Sequence, residues 1–192
     1  MSFPRSGHNL LLRMLRAYFG PRMNYCEFYN GCRSWPCRRP LNNFQKCHDF
    51  RLDTPQRPDL RYIIQIRHPW PAIVSRFRLR VARSSVEDTR ESWERHLRKH
   101  LPYYTGFVER WALAGEDLQR VLVPYHRFID RPVDSFEEIA RVFYHEVDNV
   151  RVRQVVQQND VREIGRWVDF PYTTDAALAE SEAINVLHLP LM

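Results

Sequence analysis

The sequence predicts an α/β fold in which a central, mainly parallel sheet is flanked by helices. Strand and helix patterns alternate along the chain, which is typical of parallel strands that are connected through helices. The clearest strand covers residues 61–67, where the nearly continuous apolar run in RYIIQIR indicates burial on both faces. A polar turn at residues 4–7 leads directly into a leucine-rich helix at residues 8–19. No linker or internal repeat divides the chain, so we expect one domain over residues 1–192.

The other elements of the first half follow from local patterns. Residues 1–3 form a short first strand, and residues 44–48 form another short strand. Residues 21–42 are rich in Cys, Pro, Asn and Arg, so we predict a long irregular segment there. The Pro-Trp-Pro sequence at 69–71 opens a helix that runs to about residue 80, because proline is favoured in the first helical turn.

In the second half, Ser85 begins a capped helix that places Trp93, Leu97 and Leu101 on one face. Asp134 and the glutamate three residues later predict the start of another helix. The remaining predictions are a helix at about 103–113, a strand at 120–125, the helix at 134–143 and an amphipathic helix at about 174–187.

Charge and composition limit the classes of partner. The chain has 29 Lys and Arg against 23 Asp and Glu, a net charge of +6 that favours phosphorylated or polyanionic partners. The arginines are scattered and no RNA-binding motif is present, so we predict no nucleic-acid partner. No apolar run approaches the roughly 18 residues of a membrane span, and no secretory signal opens the chain. We therefore expect a cytoplasmic protein without a membrane span.

Four cysteines stand close together in the sequence, at positions 26, 32, 37 and 47. No two of them form a CxxC pair, so a standard zinc site is a weak hypothesis and we assign no metal ligands. A disulfide fits poorly with a cytoplasmic chain. We therefore predict buried or loop thiols for Cys26, Cys32, Cys37 and Cys47.

The turn before the first helix is a candidate phosphate cradle. A helix N-terminus presents unpaired backbone N–H groups and the positive end of a dipole, which suit an oxyanion. Gly7 lets the backbone approach a ligand, and Arg5 adds a cation able to bind phosphate at two points. An ordinary turn and helix, capped by Ser6 or Asn9, explains the same residues, and the sequence leaves both explanations open.

Two further groups of residues carry candidate chemistry. Arg67 ends the clearest strand, where open α/β sheets place their ligand sites, and Ser75 lies about two helical turns further on. A guanidinium and a hydroxyl that converge there are expected to hold a second phosphate. At the end of a short strand, alternation sends Lys46 and His48 to the same side, as for a charge stabiliser beside a general base.

These motifs resemble those of the sulfotransferase family. PRSGHN is similar to the family's 5′-phosphosulfate loop, and RHPWPAIVS is similar to its 3′-phosphate motif. KCHD resembles the segment that carries the family's catalytic base. VPYHRFIDRPVDSFEEIARVF resembles a later element of the family, and Gly165-Arg166-Trp167 resembles its C-terminal G-x-W. The matches run in family order over about residues 1–167.

The resemblance implies a P-loop-like three-layer fold that binds 3′-phosphoadenosine 5′-phosphosulfate (PAPS) as sulfate donor. The activity implied is in-line transfer of the sulfuryl group to a hydroxyl or amine, without a metal ion. His48 is implied as the general base, with Lys46 and Arg5 stabilising charge. The implied donor-binding residues are Arg5, Ser6, Gly7, His8 and Asn9 for the 5′-phosphosulfate, Arg67 and Ser75 for the 3′-phosphate, Tyr125 near the adenine, and Arg162 or Arg166 in the C-terminal nucleotide loop.

Two other functions remain open from the sequence. One is a different P-loop phosphotransferase, although GxxxxGK[ST] is absent. The other is a basic module that binds RNA or another polyanion. The acceptor of a sulfotransferase is not specified either, and small molecules, carbohydrates and lipid headgroups all stay open. For the cysteine-rich segment at 24–40, a role in shaping an acceptor pocket is favoured over metal binding, and both stay open. We interpret the arginines at 76, 78, 80 and 83 as a solvated helix face.

Overall fold

The fold is mixed α/β, as the alternation of patterns predicts, but its described strands form two small parallel sheets flanked by helices instead of one central sheet. It is seen in a computed structural model that describes residues 1–113 and 117–159. The strands are β1 (Tyr25–Phe28), β2 (Gly31–Cys32), β3 (Phe44–Lys46), β4 (Arg61–Ile66) and β5 (Gln119–Pro124). The α-helices are α1 (His8–Phe19), α2 (Pro69–Ala82), α3 (Arg90–Val108), α4 (Tyr125–Asp130), α5 (Pro132–Arg141) and α6 (Asn149–Gln158).

The N-terminal segment joins two small parallel sheets, one of order β2-β1-β3 and one of β4-β5. The amide of Ser2 donates to the Cys47 carbonyl at 3.0 Å, just beyond β3. On the other side, Phe3 donates to the Gln65 carbonyl and Gln65 donates to the Met1 carbonyl, each at 3.0 Å. The predicted first strand is therefore a single parallel bridge, Ser2 with Gln65. It brings the ends of β3 and β4 to the same edge.

Helices cover both faces of the β4–β5 pair because successive strand residues point to opposite sides. Tyr62 and Ile64 belong to a core with Phe77 of α2 and Trp93 of α3. Ile63 packs against a second core, which α1, α4, α5 and α6 build with β5. Both faces of β4 are thus covered by apolar side chains, as the continuous hydrophobic run predicts.

The segment predicted to be irregular contains two strands. β1 pairs with β3, with Tyr25 opposite Phe44 and Glu27 opposite Lys46. The pairing is between strands that are distant in sequence, so the local composition of residues 21–42 gave no sign of it.

The helix predicted from Ser85 begins later and runs further. Thr89 caps α3 by accepting a hydrogen bond from the Ser92 amide at 3.3 Å, whereas the Ser85 hydroxyl donates to the Arg80 carbonyl at the end of α2. The predicted break before residue 103 does not occur, and α3 continues through Pro102 to Val108. Aromatic contacts of residues 103, 104 and 107 with Phe3 hold the helix against the core across the proline.

Smaller differences concern element boundaries. β5 ends at Pro124, so Tyr125 begins α4 instead of ending the strand. α5 starts at Pro132, two residues before the predicted Asp134, because proline suits the first helical position. α6 was not predicted, and Asp148 caps it by accepting from the Arg151 amide. The helix predicted at 174–187 lies outside the described residues.

Among the described helices, none combines the length and the apolar character needed to cross a bilayer.

Candidate functional site

A cleft of about 770 Å³ opens where the N-terminal segment, β3, β4 and β5 end. Because neighbouring parallel strands end at the same edge, the residues that follow them meet there. The cleft brings together nine of the residues predicted for the site: Arg5, Gly7, His8, Asn9, Lys46, His48, Arg67, Ser75 and Tyr125. The predicted Arg162 and Arg166 lie outside the described residues.

The loop before α1 has the backbone geometry of a tight cradle. Arg5 and Gly7 both have positive φ, at 69° and 87°. Gly7 is the residue before the helix, and no side chain caps it, so neither Ser6 nor Asn9 acts as the cap of an ordinary turn. Ser6 was also predicted for the site, but it is fully buried and is not one of the residues that line the cleft. Its Oγ has no hydrogen-bond partner among the described residues. The uncapped start of the helix itself suits an anion.

The cations of the cleft are arranged differently from the expected pairing of Arg67 with Ser75. Arg5 Nε donates to Ser75 Oγ at 2.9 Å, so the loop and α2 are bonded directly. The Arg67 guanidinium lies 4.4 Å from the centre of the Tyr125 ring, a cation–π contact. Burial lowers the pKa of Arg67, although an arginine stays charged. The two candidate anion sites are therefore joined by Arg5 into one surface.

Tyr125 packs against the loop. A Cβ built on Gly7 would lie 2.7 Å from Tyr125 Cδ2, which leaves no room for a side chain at this position. The ring thus lies close to both Gly7 and the Arg67 guanidinium. Tyr125 reaches this place because it is the first residue of α4, directly after β5.

His48 has the tautomer and charge state of a base. Its Nδ1 lies 2.6 Å from the Ser2 carbonyl oxygen and 3.2 Å from the Ser2 hydroxyl oxygen. The carbonyl makes the shorter contact and only accepts hydrogen bonds, so we assign the proton to Nδ1 and the lone pair to Nε2. Burial, together with the charges of Lys46 and Arg76, lowers the pKa of His48 to about 4, against the opposing effect of the Ser2 carbonyl. The imidazole is therefore neutral at pH 7. Phe50 lies against the ring, with centroids 5.2 Å apart.

Lys46 belongs to a polar network that the sequence did not reveal. Its Nζ lies 3.2 Å from Glu27 Oε1, which also accepts a hydrogen bond from Tyr25 Oη at 2.7 Å. The same Tyr25 hydroxyl contacts His8 Nε2 at 3.0 Å. Burial strongly lowers the pKa of His8, so this imidazole is neutral. Glu27 balances the charge of Lys46 without displacing it from the cleft.

The arginines at 76, 78, 80 and 83 were predicted to form a solvated helix face, but three of them line the cleft: Arg76 and Arg80 of α2, and Arg83 directly after it. Glu27, Asn30 and Phe50 line the cleft as well. Arg76 is partly buried, with its guanidinium 5.3 Å from the Phe50 ring centre. Its Nε has no hydrogen-bond partner among the described residues. The sequence held one sign that Arg76 belongs to the site. Arg76 directly follows the predicted site residue Ser75, on the helix that comes after Arg67.

Neither a protein-family model nor a curated protein matches the chain.

Proposed function

We propose that this protein is a sulfotransferase with a P-loop-like fold, which uses PAPS as donor and a hydroxyl or amine as acceptor. One observation carries the proposal: the Arg5–Gly7 loop, Arg67 and His48 open into one cleft. The sequence motifs assign these three to the 5′-phosphosulfate, the 3′-phosphate and the proton acceptor. Each of these groups follows a parallel segment, namely the N-terminal segment, β4 and β3, and this arrangement supports the same fold.

The loop offers what a phosphosulfate needs. In the proposed complex, the first N–H groups of α1 and the Arg5 guanidinium donate hydrogen bonds to its oxygens. Arg67 and Ser75 would hold the 3′-phosphate, which distinguishes this donor from ATP. Bound PAPS supplies an activated sulfuryl group, and fixed cations stabilise the charge that develops during transfer.

On the acceptor side, His48 takes the proton. The Ser2 carbonyl keeps the Nδ1 proton in place, so Nε2 is the atom that removes a proton from an acceptor hydroxyl. Lys46 lies two residues before it on the same side of β3, where its charge stabilises developing negative charge. Phe50, Asn30 and Glu27 border this end of the cleft and would contact the acceptor.

Donor recognition is tested by binding to the full chain. We expect 3′,5′-ADP to raise the melting temperature, and ATP or an oligonucleotide at the same concentration to raise it much less. Arg67→Ala should weaken 3′,5′-ADP roughly 10- to 100-fold, since a charge-assisted hydrogen bond contributes about 1.5–3 kcal/mol. Arg13→Ala removes the same charge from an exposed position outside the cleft and should leave the affinity unchanged.

Two results would contradict the assignment. Equal stabilisation by ATP and 3′,5′-ADP would favour a phosphotransferase, and stabilisation by the oligonucleotide alone would favour a polyanion-binding module. Equal affinities of the Arg67→Ala and Arg13→Ala variants for 3′,5′-ADP would remove Arg67 from the donor site.

A further inference from the structure

Three cysteine sulfurs converge beside β1. The Sγ atoms of Cys26, Cys32 and Cys37 lie within 4.8 Å of one another, and those of Cys32 and Cys37 are 3.5 Å apart. Cys26 and Cys32 are buried, and Cys37 is partly buried. The spacing of six and five residues contains no CxxC pair, so only the pairing of β1 with β2 and β3 brings the thiols together.

The cluster is separate from the cleft. Cys26 is opposite Gln45 in the β1–β3 register, and the next pair along is Glu27 with Lys46. Side chains alternate between the faces of a sheet, so Cys26 and Gln45 project away from the face that presents Glu27 and Lys46 to the cleft. A ligand at the thiols would therefore lie behind the candidate active site.

One side chain holds the thiols in position. Gln45 Nε2 donates to the Ser34 carbonyl at 2.9 Å and contacts Cys32 Sγ at 3.5 Å. Gln45 Oε1 accepts from the Cys37 amide at 2.8 Å. The loop that carries Cys32 and Cys37 is thus fastened to β3 on the side where Cys26 points.

We propose that Cys26, Cys32 and Cys37 form a binding site for a thiophilic metal ion, with Zn²⁺ as the ion. Tetrahedral zinc with Zn–S bonds of about 2.3 Å requires sulfurs about 3.8 Å apart, which lies within the range that the cluster spans. Three thiolates leave the fourth position to water or another small ligand. The ion would link β1, β2 and the following loop behind the cleft.

The test measures zinc in the reduced full chain. Protein purified with reductant, given excess Zn²⁺ and then desalted is expected to hold one zinc per chain by mass spectrometry. Cobalt in place of zinc is expected to give thiolate-to-metal charge-transfer absorption. Cys26→Ser, Cys32→Ser and Cys37→Ser should each weaken zinc binding at least tenfold. Cys47→Ser is the matched control, because the Cys47 thiol instead contacts Thr54 and the Asp49 amide.

Circular dichroism shows whether each variant is folded, and Cys37→Ser is decisive because its side chain is the least buried of the three. A folded Cys37→Ser variant with full zinc affinity would overturn the proposal. Two other results would overturn it as well. One is a reduced parent chain that retains no zinc, and the other is a chain with a Cys32–Cys37 disulfide that still binds no zinc after the disulfide has been reduced. Each readout is independent of donor binding, so the site and the proposed activity can fail separately.

Discussion

At the scale of single residues, the most constrained group of the cleft is His48. The Ser2 carbonyl accepts the hydrogen bond from His48 Nδ1, and the Tyr103 hydroxyl donates to the backbone carbonyl of His48. Both contacts come from segments distant in sequence, so the ring and its backbone are held by tertiary structure. An imidazole with a fixed tautomer needs little reorganisation before it accepts a proton at Nε2.

We predict that His48 stays neutral, with its proton on Nδ1, from pH 8 down to about pH 5. Burial lowers the folded pKa to about 4, so protonation occurs only as the pH falls through that value. Nitrogen-15 NMR of histidine side chains, assigned with His48→Gln, measures both the tautomer and the titration. A His48 signal that titrates near pH 6.5, or an Nε2–H tautomer, would contradict the assignment as base.

If His48 is the general base, its removal should slow sulfuryl transfer. In assays with labelled PAPS and a panel of hydroxyl and amine acceptors, His48→Ala should reduce the rate by ~10²–10⁴-fold. Its affinity for 3′,5′-ADP should stay near that of the parent, because the proposed function assigns His48 to the acceptor and not to the donor. His145→Ala, at an exposed position away from the cleft, is the control. A near-parental rate in the His48→Ala variant would place the base elsewhere.

The cations of the cleft repel one another. Burial lowers the pKa of Arg5, and the charges of Arg67 and Arg83 lower it further. Burial also lowers the pKa of Arg76. An anionic ligand bound among these groups would relieve the repulsion, and this is consistent with the proposed donor, which carries phosphate groups at both ends.

At the scale of elements, the loop before α1 packs closely against the start of α4, where Gly7 meets the ring of Tyr125. The ring of Tyr125, the first residue of α4, lies where a side chain on Gly7 would be. Positive φ at Gly7 adds a second reason for glycine. A side chain at position 7 would therefore have to displace the start of α4.

We expect Gly7→Ala to destabilise the protein by about 2–4 kcal/mol, since about 1–2 kcal/mol of left-handed strain adds to displacement of the Tyr125 ring. Urea denaturation measures the loss. The matched control is the same Gly7→Ala change made in a Tyr125→Ala background, where the added Cβ no longer meets the ring. The loss in that background should be smaller, because only the backbone strain at position 7 remains. Equal losses in the two backgrounds would mean that the Tyr125 contact contributes nothing.

At the scale of the whole molecule, buried histidines tie the stability of the fold to pH. His96 and His100 pack ring to ring between α2 and α3, with centroids 4.1 Å apart. Burial lowers the pKa of His96 to about 4 and that of His100 to about 3. Below pH 6.5 the unfolded chain binds protons that the folded chain does not, so the stabilisation present above pH 6.5 is lost as the pH falls toward 4.

We predict that the free energy of unfolding falls between pH 7 and pH 5, and that His100→Met loses less over this range than the parent. The expected difference is on the order of 1–2 kcal/mol, because one buried histidine no longer has to stay neutral. Urea denaturation at both pH values measures it. His145→Met is the control at an exposed position, and a pH dependence of His100→Met equal to that of the parent would contradict the prediction.

Much of the molecule follows from local sequence. The apolar run of β4, the leucine face of α1 and the prolines at the start of α2 indicated their elements, because each depends on neighbours in the chain. The order of strand, polar turn and helix also pointed to the residues that line the cleft. Residues that follow parallel strands meet at one edge whatever the details of packing.

Only the tertiary structure decided which side chains are partners. Arg5, and not Arg67, bonds Ser75, and Glu27 pairs with Lys46 because β1 lies beside β3. Strand pairing also gathered three thiols whose spacing suggested no metal site. A sequence pattern reports on contacts within a few residues, whereas contacts between distant segments depend on how the strands and helices pack.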